Sequence, residues 1–316
     1  MFGSHFQAGL AALRRRPGLA LLLFAMQLAL AFILTLPLYF TLNEIVGPTG
    51  FSDDLARQFD IVLWFDIMEK VEPMLGGLLW QVLLAGVLLL VWHAASGVGL
   101  VHALREGGGR SFWQGVGRFT GPGLLLALLF LLLAFAWLIP VGVVNAAVKA
   151  VWAGTVGEWW TNNVLTPTLF IAGIAVLDLM HDYARAALVI DEAPVGRAWR
   201  TGIGWPFRHG VASWLYLAWF VPGLGLWLLP TVVDLSFAAA WVPFLVQQGC
   251  LLTRAFVTVG WVGSAVSLFE EVRLQEMPLI AAAAPDGEET PPEAPTEDMP
   301  AETPVLPAAA EGQALA

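Results

Sequence analysis

The run PGLLLALLFLLLAFAWLIPVGVVNA, residues 122–146, places 25 residues in a row without a single charged side chain. As a helix it would extend ~37 Å at ~1.5 Å per residue, enough to cross a ~30 Å hydrocarbon core. A soluble helix of that length needs a polar face, and this run has none. Lipid is therefore its solvent, and in lipid the backbone must satisfy its own hydrogen bonds, which a helix does.

Working outward, five similar runs flank it, at about 18–42, 76–104, 164–190, 211–233 and from Phe237 toward Leu268. The expected fold is all-α and polytopic, with about six transmembrane helices. Pro37, Pro140 and Pro222 fall inside spans, where neighbouring helices can re-satisfy the freed carbonyl. The stretch Pro222-Gly223-Leu224-Gly225 predicts a kink in the fifth span. At the N-terminus, Arg14-Arg15-Arg16 before an apolar stretch resembles a signal peptide. The apolar run continues from Gly18 to about Leu42, past the ~7–15 residues of a signal core, so an uncleaved first span is expected.

Composition agrees: apolar residues make up 58% of the chain and charged residues 13%, against roughly 25% charged in soluble domains. The net charge of −10 misdescribes the membrane part, because residues 281–316 hold eight acids and no base. That Pro-, Ala- and acid-rich segment cannot bury enough apolar surface to offset its ordering entropy. The expected division is a helical membrane domain over 1–275 and a disordered, acidic cytoplasmic tail over 276–316. The acidic balance belongs to the tail, and nucleic acid is not an expected partner. A single cysteine, Cys250, excludes an intrachain disulfide and a cysteine-based metal site.

Basic residues concentrate on the cytoplasmic side of membrane proteins. The N-terminus and the segments 105–118 and 185–208 hold Arg14, Arg15, Arg16, Arg105, Arg110, Arg118, Arg185, Arg197, Arg200 and Arg208. The opposite connections hold Arg57, Lys70 and Lys149. This asymmetry predicts a multi-pass protein of the cell's inner (cytoplasmic) membrane with both termini in the cytoplasm. In the first external loop, 43–75, Ser52 before Asp53 and Asp54 is a helix start. Leu55, Phe59, Val62, Leu63 and Trp64 then suggest an amphipathic surface helix. Trp152, Trp159 and Trp160 in the second external loop suit an interfacial belt.

An internal repeat is also legible. Phe6-Gln7-Ala8-Gly9-Leu10, Phe112-Trp113-Gln114-Gly115-Val116 and Trp199-Arg200-Thr201-Gly202-Ile203 share an aromatic-x-x-Gly-aliphatic core. Each is followed, eight or nine residues on, by a glycine that opens a span: Gly18, Gly123 and Gly210. The expected unit is a hairpin of two spans preceded by a short amphipathic helix on the cytoplasmic face, present three times. The stretch from Asp182 to Asp191, followed by Val195, Ala198, Trp199 and Gly202 before an apolar run, resembles a group of uncharacterised bacterial six-span membrane proteins. The layout over about residues 5–270 is similar to the membrane domain attached to some glycerophosphodiester phosphodiesterases. The catalytic barrel of those enzymes has no counterpart in these residues, so the resemblance implies a helical membrane fold and no activity.

Ionisable residues inside a membrane are costly and call for a role. The fourth span carries Asp178, His181, Asp182 and Arg185 at i, i+3, i+4 and i+7, one helix face. Counting from the outer ends puts His93 of the second span and Arg254 of the sixth at comparable depth, with Gln247 and Gln248 nearby. The first reading is a buried ion-pair network in which Arg185 and Arg254 neutralise Asp178 and Asp182. The second is a proton- or ion-coupled pathway, and the third is a metal site from His93, His181 and the aspartates. Two arginines would repel a cation, and His-x-x-x-His spacing is missing, so no metal is expected. Gly107-Gly108-Gly109 lacks the Lys-Ser/Thr of a phosphate loop, and no nucleophile elbow appears.

These features predict an integral membrane protein without a cofactor, acting as a scaffold, assembly or envelope component. A small-solute or ion-coupled transporter using the polar cluster is the alternative, and a lipid-modifying enzyme the next. Its partners would be the bilayer itself and another membrane protein or a second copy. Whether the even-numbered spans enclose a polar cavity open to one side is the observation that would bear most on this choice.

Overall fold

The computed structural model describes residues 2–46, 75–107, 109–232 and 241–283, and every regular element among them is helical. The helices are α1 (Phe2–Arg15), α2 (Pro17–Val46), α3 (Leu75–Glu106), α4 (Gly109–Trp152), α5 (Val156–Trp160), α6 (Thr166–Ile190), α7 (Val195–Arg208), α8 (Gly210–Val232) and α9 (Trp241–Ala283). One wide π-helical turn, Thr161–Leu165, joins α5 to α6. The surface helix expected from Ser52, the start of the sixth span at Phe237 and the tail beyond residue 283 lie outside the described residues. By backbone contacts the chain divides into Met1–Leu274 and Gln275–Ala316.

Six of these stretches are long and apolar enough to cross a membrane: Pro17–Pro37, Leu79–Glu106, Gly109–Trp152, Val156–Ile190, Gly210–Pro230 and Trp241–Glu276. Phe32, Leu79, Trp80, Ile139, Trp214 and Trp241 stand exposed on their outer surfaces. So much exposed apolar surface is what a lipid-facing bundle presents and a water-soluble one does not.

Proline decides where the first short helix ends. Pro17 disfavours helical geometry at Arg16 and starts α2 from its first helical position, so α1 and α2 are separate helices. Between α7 and α8 the break falls at His209, with φ −113° and ψ 83°. The middle segment behaves differently. Expected as a separate helix over 108–120, residues 109–120 instead run unbroken into the span as the first part of the 44-residue α4. The packing explains the difference. Gly115 lies against Gly99 and His102 of α3, and Gly123 against Val98 of the same helix. Segment and span thus lie along one partner, and nothing turns the chain between them. The kink expected at Pro222 likewise leaves α8 helical throughout, from Gly210 to Val232.

The core gathers where α3 and α6 end and midway along α9, around Val98–Ala103, Tyr183–Val189 and Val259–Phe269, with the short helices packed over it. At these ends polar side chains link the three helices pairwise. Arg105 of α3 donates to the Ile190 carbonyl at the end of α6 (3.1 Å) and lies 3.8 Å from Glu270 of α9. Arg273 of α9 pairs with Asp191, the residue that caps α6. The bundle is therefore tied tightly at one end. The cavity described next lies farther along the spans.

An intramembrane polar cluster and its cavity

Arg185 is the hub. Its Nη1 donates to Asp182 Oδ1 at 2.8 Å, one helical turn away on α6. Its Nη2 lies 2.5 Å from His93 Nε2 on α3. A guanidinium has no acceptor, so His93 must accept through Nε2 and carry its proton on Nδ1. Room for the guanidinium comes from Gly97, where a Cβ would stand 2.8 Å from Arg185 Cζ. Asp182 Oδ2 accepts from Trp261 Nε1 of α9 at 2.6 Å. One carboxylate thus joins two helices, and through Arg185 it reaches a third.

Asp178, a turn farther out on α6, accepts through Oδ2 from the Tyr216 hydroxyl of α8 at 2.9 Å. The sequence reading assigned Arg254 to one of these carboxylates, and here the structure differs. No anion lies within salt-bridge distance of the Arg254 side chain among the described residues, which leave it exposed. Arg185 already sits on the same helix as Asp182, and Tyr216 reaches Asp178 from α8, so both carboxylates are partnered without it. His181 also departs from its neighbours. Its ring turns to Phe130 of α4, centroids 4.8 Å apart, and lies 5.9 Å from the His93 ring. Gln247 is exposed, and Gln248 is half-buried with its side-chain oxygen unbonded. Neither glutamine joins the cluster, because both lie about two turns nearer the outer end of α9 than Arg254.

Most of these groups, with Gln27, Ser96 and Thr258, wall a cavity of about 620 Å³. Gln27 comes from α2, His93 and Ser96 from α3, Asp178, Asp182 and Arg185 from α6, and Arg254, Thr258 and Trp261 from α9. A second, shallower pocket of about 280 Å³ lies between α6, α8 and α9, faced by Phe170, Trp219, Phe220 and Trp227. The two share Asp178, Arg254, Thr258 and Trp261. Among the described residues no three His, Cys, Asp or Glu side chains converge as a metal site would require.

Tyr216, Trp261 and Gln27 were not singled out from the sequence, though one signal was present. Tyr216 and Trp261 stand within spans, away from the interfacial levels where such rings anchor, and a buried phenol or indole needs an acceptor. No protein-family model, no curated protein and no solved structure matches this chain, so the chemistry of the cluster alone carries a functional reading.

Proposed function

We propose that the chain is a membrane-embedded binding protein for a small polar or charged solute, working as a transporter, with the cavity between the even-numbered spans as its site. The observation that carries this reading is that α3, α6 and α9, joined by α2, surround a cavity of about 620 Å³ lined by His93, Asp178, Asp182, Arg185 and Arg254. A scaffold has no need of such a space, nor of Arg254 in its wall, a costly charge whose side chain has no salt bridge among the described residues. His93 stands open to the cavity and Ser96 is half-buried beside it.

The proposal includes an architecture of three related hairpins in the inner membrane, with the arginine-rich ends in the cytoplasm. Three close approaches support it. Gly115 lies against the end of α3, Gly202 against α6 at the Met180 carbonyl, and Gly9 against α9 at Gly260 and Ser264. Each short segment thus seats its glycine on the returning span of another hairpin, and the first segment closes onto the last span. Kinship with the uncharacterised six-span bacterial proteins belongs to the same proposal and brings no activity with it. The scaffold reading keeps one observation in its favour, that Asp178, Asp182, Arg185 and His93 all have partners within the protein.

The test is water access. With Cys250 replaced by serine, Ser96→Cys in the full chain should react with a small, charged, membrane-impermeant thiol reagent applied from one side of sealed vesicles. Protection from both sides, with full reaction after denaturation, would make the cluster a dry tie and return the scaffold reading.

A further inference from the structure

Among the described residues, Arg254 is the charged group of the cavity wall whose side chain makes neither a hydrogen bond nor a salt bridge. Asp182 is answered by Arg185 and Trp261, Arg185 by Asp182 and His93, and Asp178 by Tyr216. An uncompensated arginine within a span is costly, so its position calls for an anion, and no described carboxylate comes within salt-bridge distance of it; Asp178, which lines the same cavity, spends Oδ2 on Tyr216. The groups around it suit an oxyanion. His93 has its Nδ1–H left to donate, and Gln27 brings an amide to the same cavity. Thr258 spends its hydroxyl proton on the Arg254 carbonyl, at 3.0 Å.

Arg254 also lines the second pocket, and there the chemistry changes. Beyond the four shared residues and Tyr216, whose hydroxyl is spent on Asp178, its walls are apolar, formed mainly by the rings of Phe170, Trp219, Phe220 and Trp227. The Trp219 indole N–H is already bonded to Ser264 Oγ at 3.1 Å, so the ring offers the pocket only its apolar body. A cation in the wall of an aromatic groove fits a molecule that is acidic at one end and hydrocarbon at the other.

We propose that Arg254 and this groove bind an acidic amphiphile, a carboxylate or phosphate ester with a hydrocarbon tail, its oxyanion on Arg254 and its tail along Phe170, Phe220 and Trp227. The inference rests on the reading of the cavity as a binding site and names the class of its ligand. Charge-assisted hydrogen bonds to such a head contribute ~1.5–3 kcal/mol, and each ~1.4 kcal/mol is a tenfold change in affinity.

The experiment is a native mass-spectrometry titration of the delipidated full-length protein with phosphatidic acid, with phosphatidylcholine of the same chains, and with inorganic phosphate. The protein should retain phosphatidic acid roughly tenfold or more in preference to phosphatidylcholine. Arg254→Gln should erase that preference, and Arg254→Lys should keep part of it. Phe220→Ala with Trp227→Ala should weaken retention of both lipids. Thermal melts check that each variant is folded. An unchanged preference in Arg254→Gln overturns the proposal. Inorganic phosphate displacing phosphatidic acid at equal concentration overturns it too, since the site would then recognise the free oxyanion. The two readings fail separately. A Ser96→Cys label with no Arg254-dependent preference removes the amphiphile and leaves the cavity. The preference without the label removes the water-filled cavity and leaves the amphiphile site.

Discussion

Two arginines, Arg185 and Arg254, look alike in sequence as intramembrane cations, and their surroundings set them apart. Arg185 is buried between an aspartate and a histidine, and removing it strands the Asp182 carboxylate among apolar helices. Breaking one side of a buried pair costs ~3–5 kcal/mol, so Arg185→Met should lower the melting temperature sharply. Adding Asp182→Asn should recover part of the loss. Arg254→Met strands no carboxylate and should melt close to the parent. Equal losses in the two arginine variants, measured by thermal denaturation in detergent, would refute this distinction. His5 offers a second test, outside the spans. Its Nδ1 meets Ser267 Oγ at 3.1 Å, and burial holds the imidazole below its ordinary range, with Glu271 pulling the other way. The folded value then lies below the unfolded ~6.5, so the unfolded chain takes up the proton first as pH falls. This contribution is intact above about pH 6.5 and is lost progressively below it. His5→Gln should flatten the fall in melting temperature between about pH 7 and pH 5. An unchanged slope would show that His5 does not titrate out of its site.

At the scale of elements, the short segments are held by close packing as much as by their amphipathic pattern. On α7, Ala198, Gly202 and Trp205 are buried while Arg197, Arg200 and Arg208 are exposed. On α1, His5 and Gly9 are buried while Arg14 and Arg15 are exposed. The glycines sit where a side chain would collide with backbone. A Cβ at Gly202 would overlap the Met180 carbonyl oxygen, and one at Gly9 would overlap the Gly260 carbonyl oxygen. Backbone yields less readily than a side-chain tip, and overpacking of this kind costs ~1–3 kcal/mol. Gly202→Ala should therefore lower the melting temperature, whereas Gly204→Ala, with open space around it, should match the parent or raise it, since alanine is the better helix former. If both variants melt alike, the approach of α7 to α6 is looser than described.

For the molecule as a whole, one end of the bundle is tied. Arg105, Glu270, Arg273 and Asp191 connect α3, α6 and α9 at the arginine-rich end. About 14–20 Å farther along the helices, at ~1.5 Å per residue, lie Asp182 and Asp178 with the cavity between the same spans. On the proposed transporter reading, the spans around the cavity would part while this tied base stays in place. The proposed topology predicts that single cysteines placed in 147–162 react with an impermeant reagent from outside the cell. Cysteines in 105–118 should react only after the membrane is opened. Labelling of 105–118 from outside would invert the orientation drawn from the arginines.

The sequence by itself determined the membrane class, the six spans and the residues that must find partners. Each of these follows from local chemistry: apolar runs long enough to cross a bilayer, and i, i+4 and i+7 spacing that sets Asp178, Asp182 and Arg185 on one side of α6. The partners themselves were beyond it. Tyr216, Trp261 and Gln27 lie on other helices, and the rotation of those helices about their axes depends on contacts distant in sequence. Depth counting brought Arg254 to the right level but could not say that Tyr216 would take its place on Asp178. The same holds for α4, where the repeat predicted a separate segment over 108–120 and packing along α3 accompanies one continuous helix. Composition and periodicity act within a helix; which faces meet, and whether a space is left between them, is decided only when all six are packed.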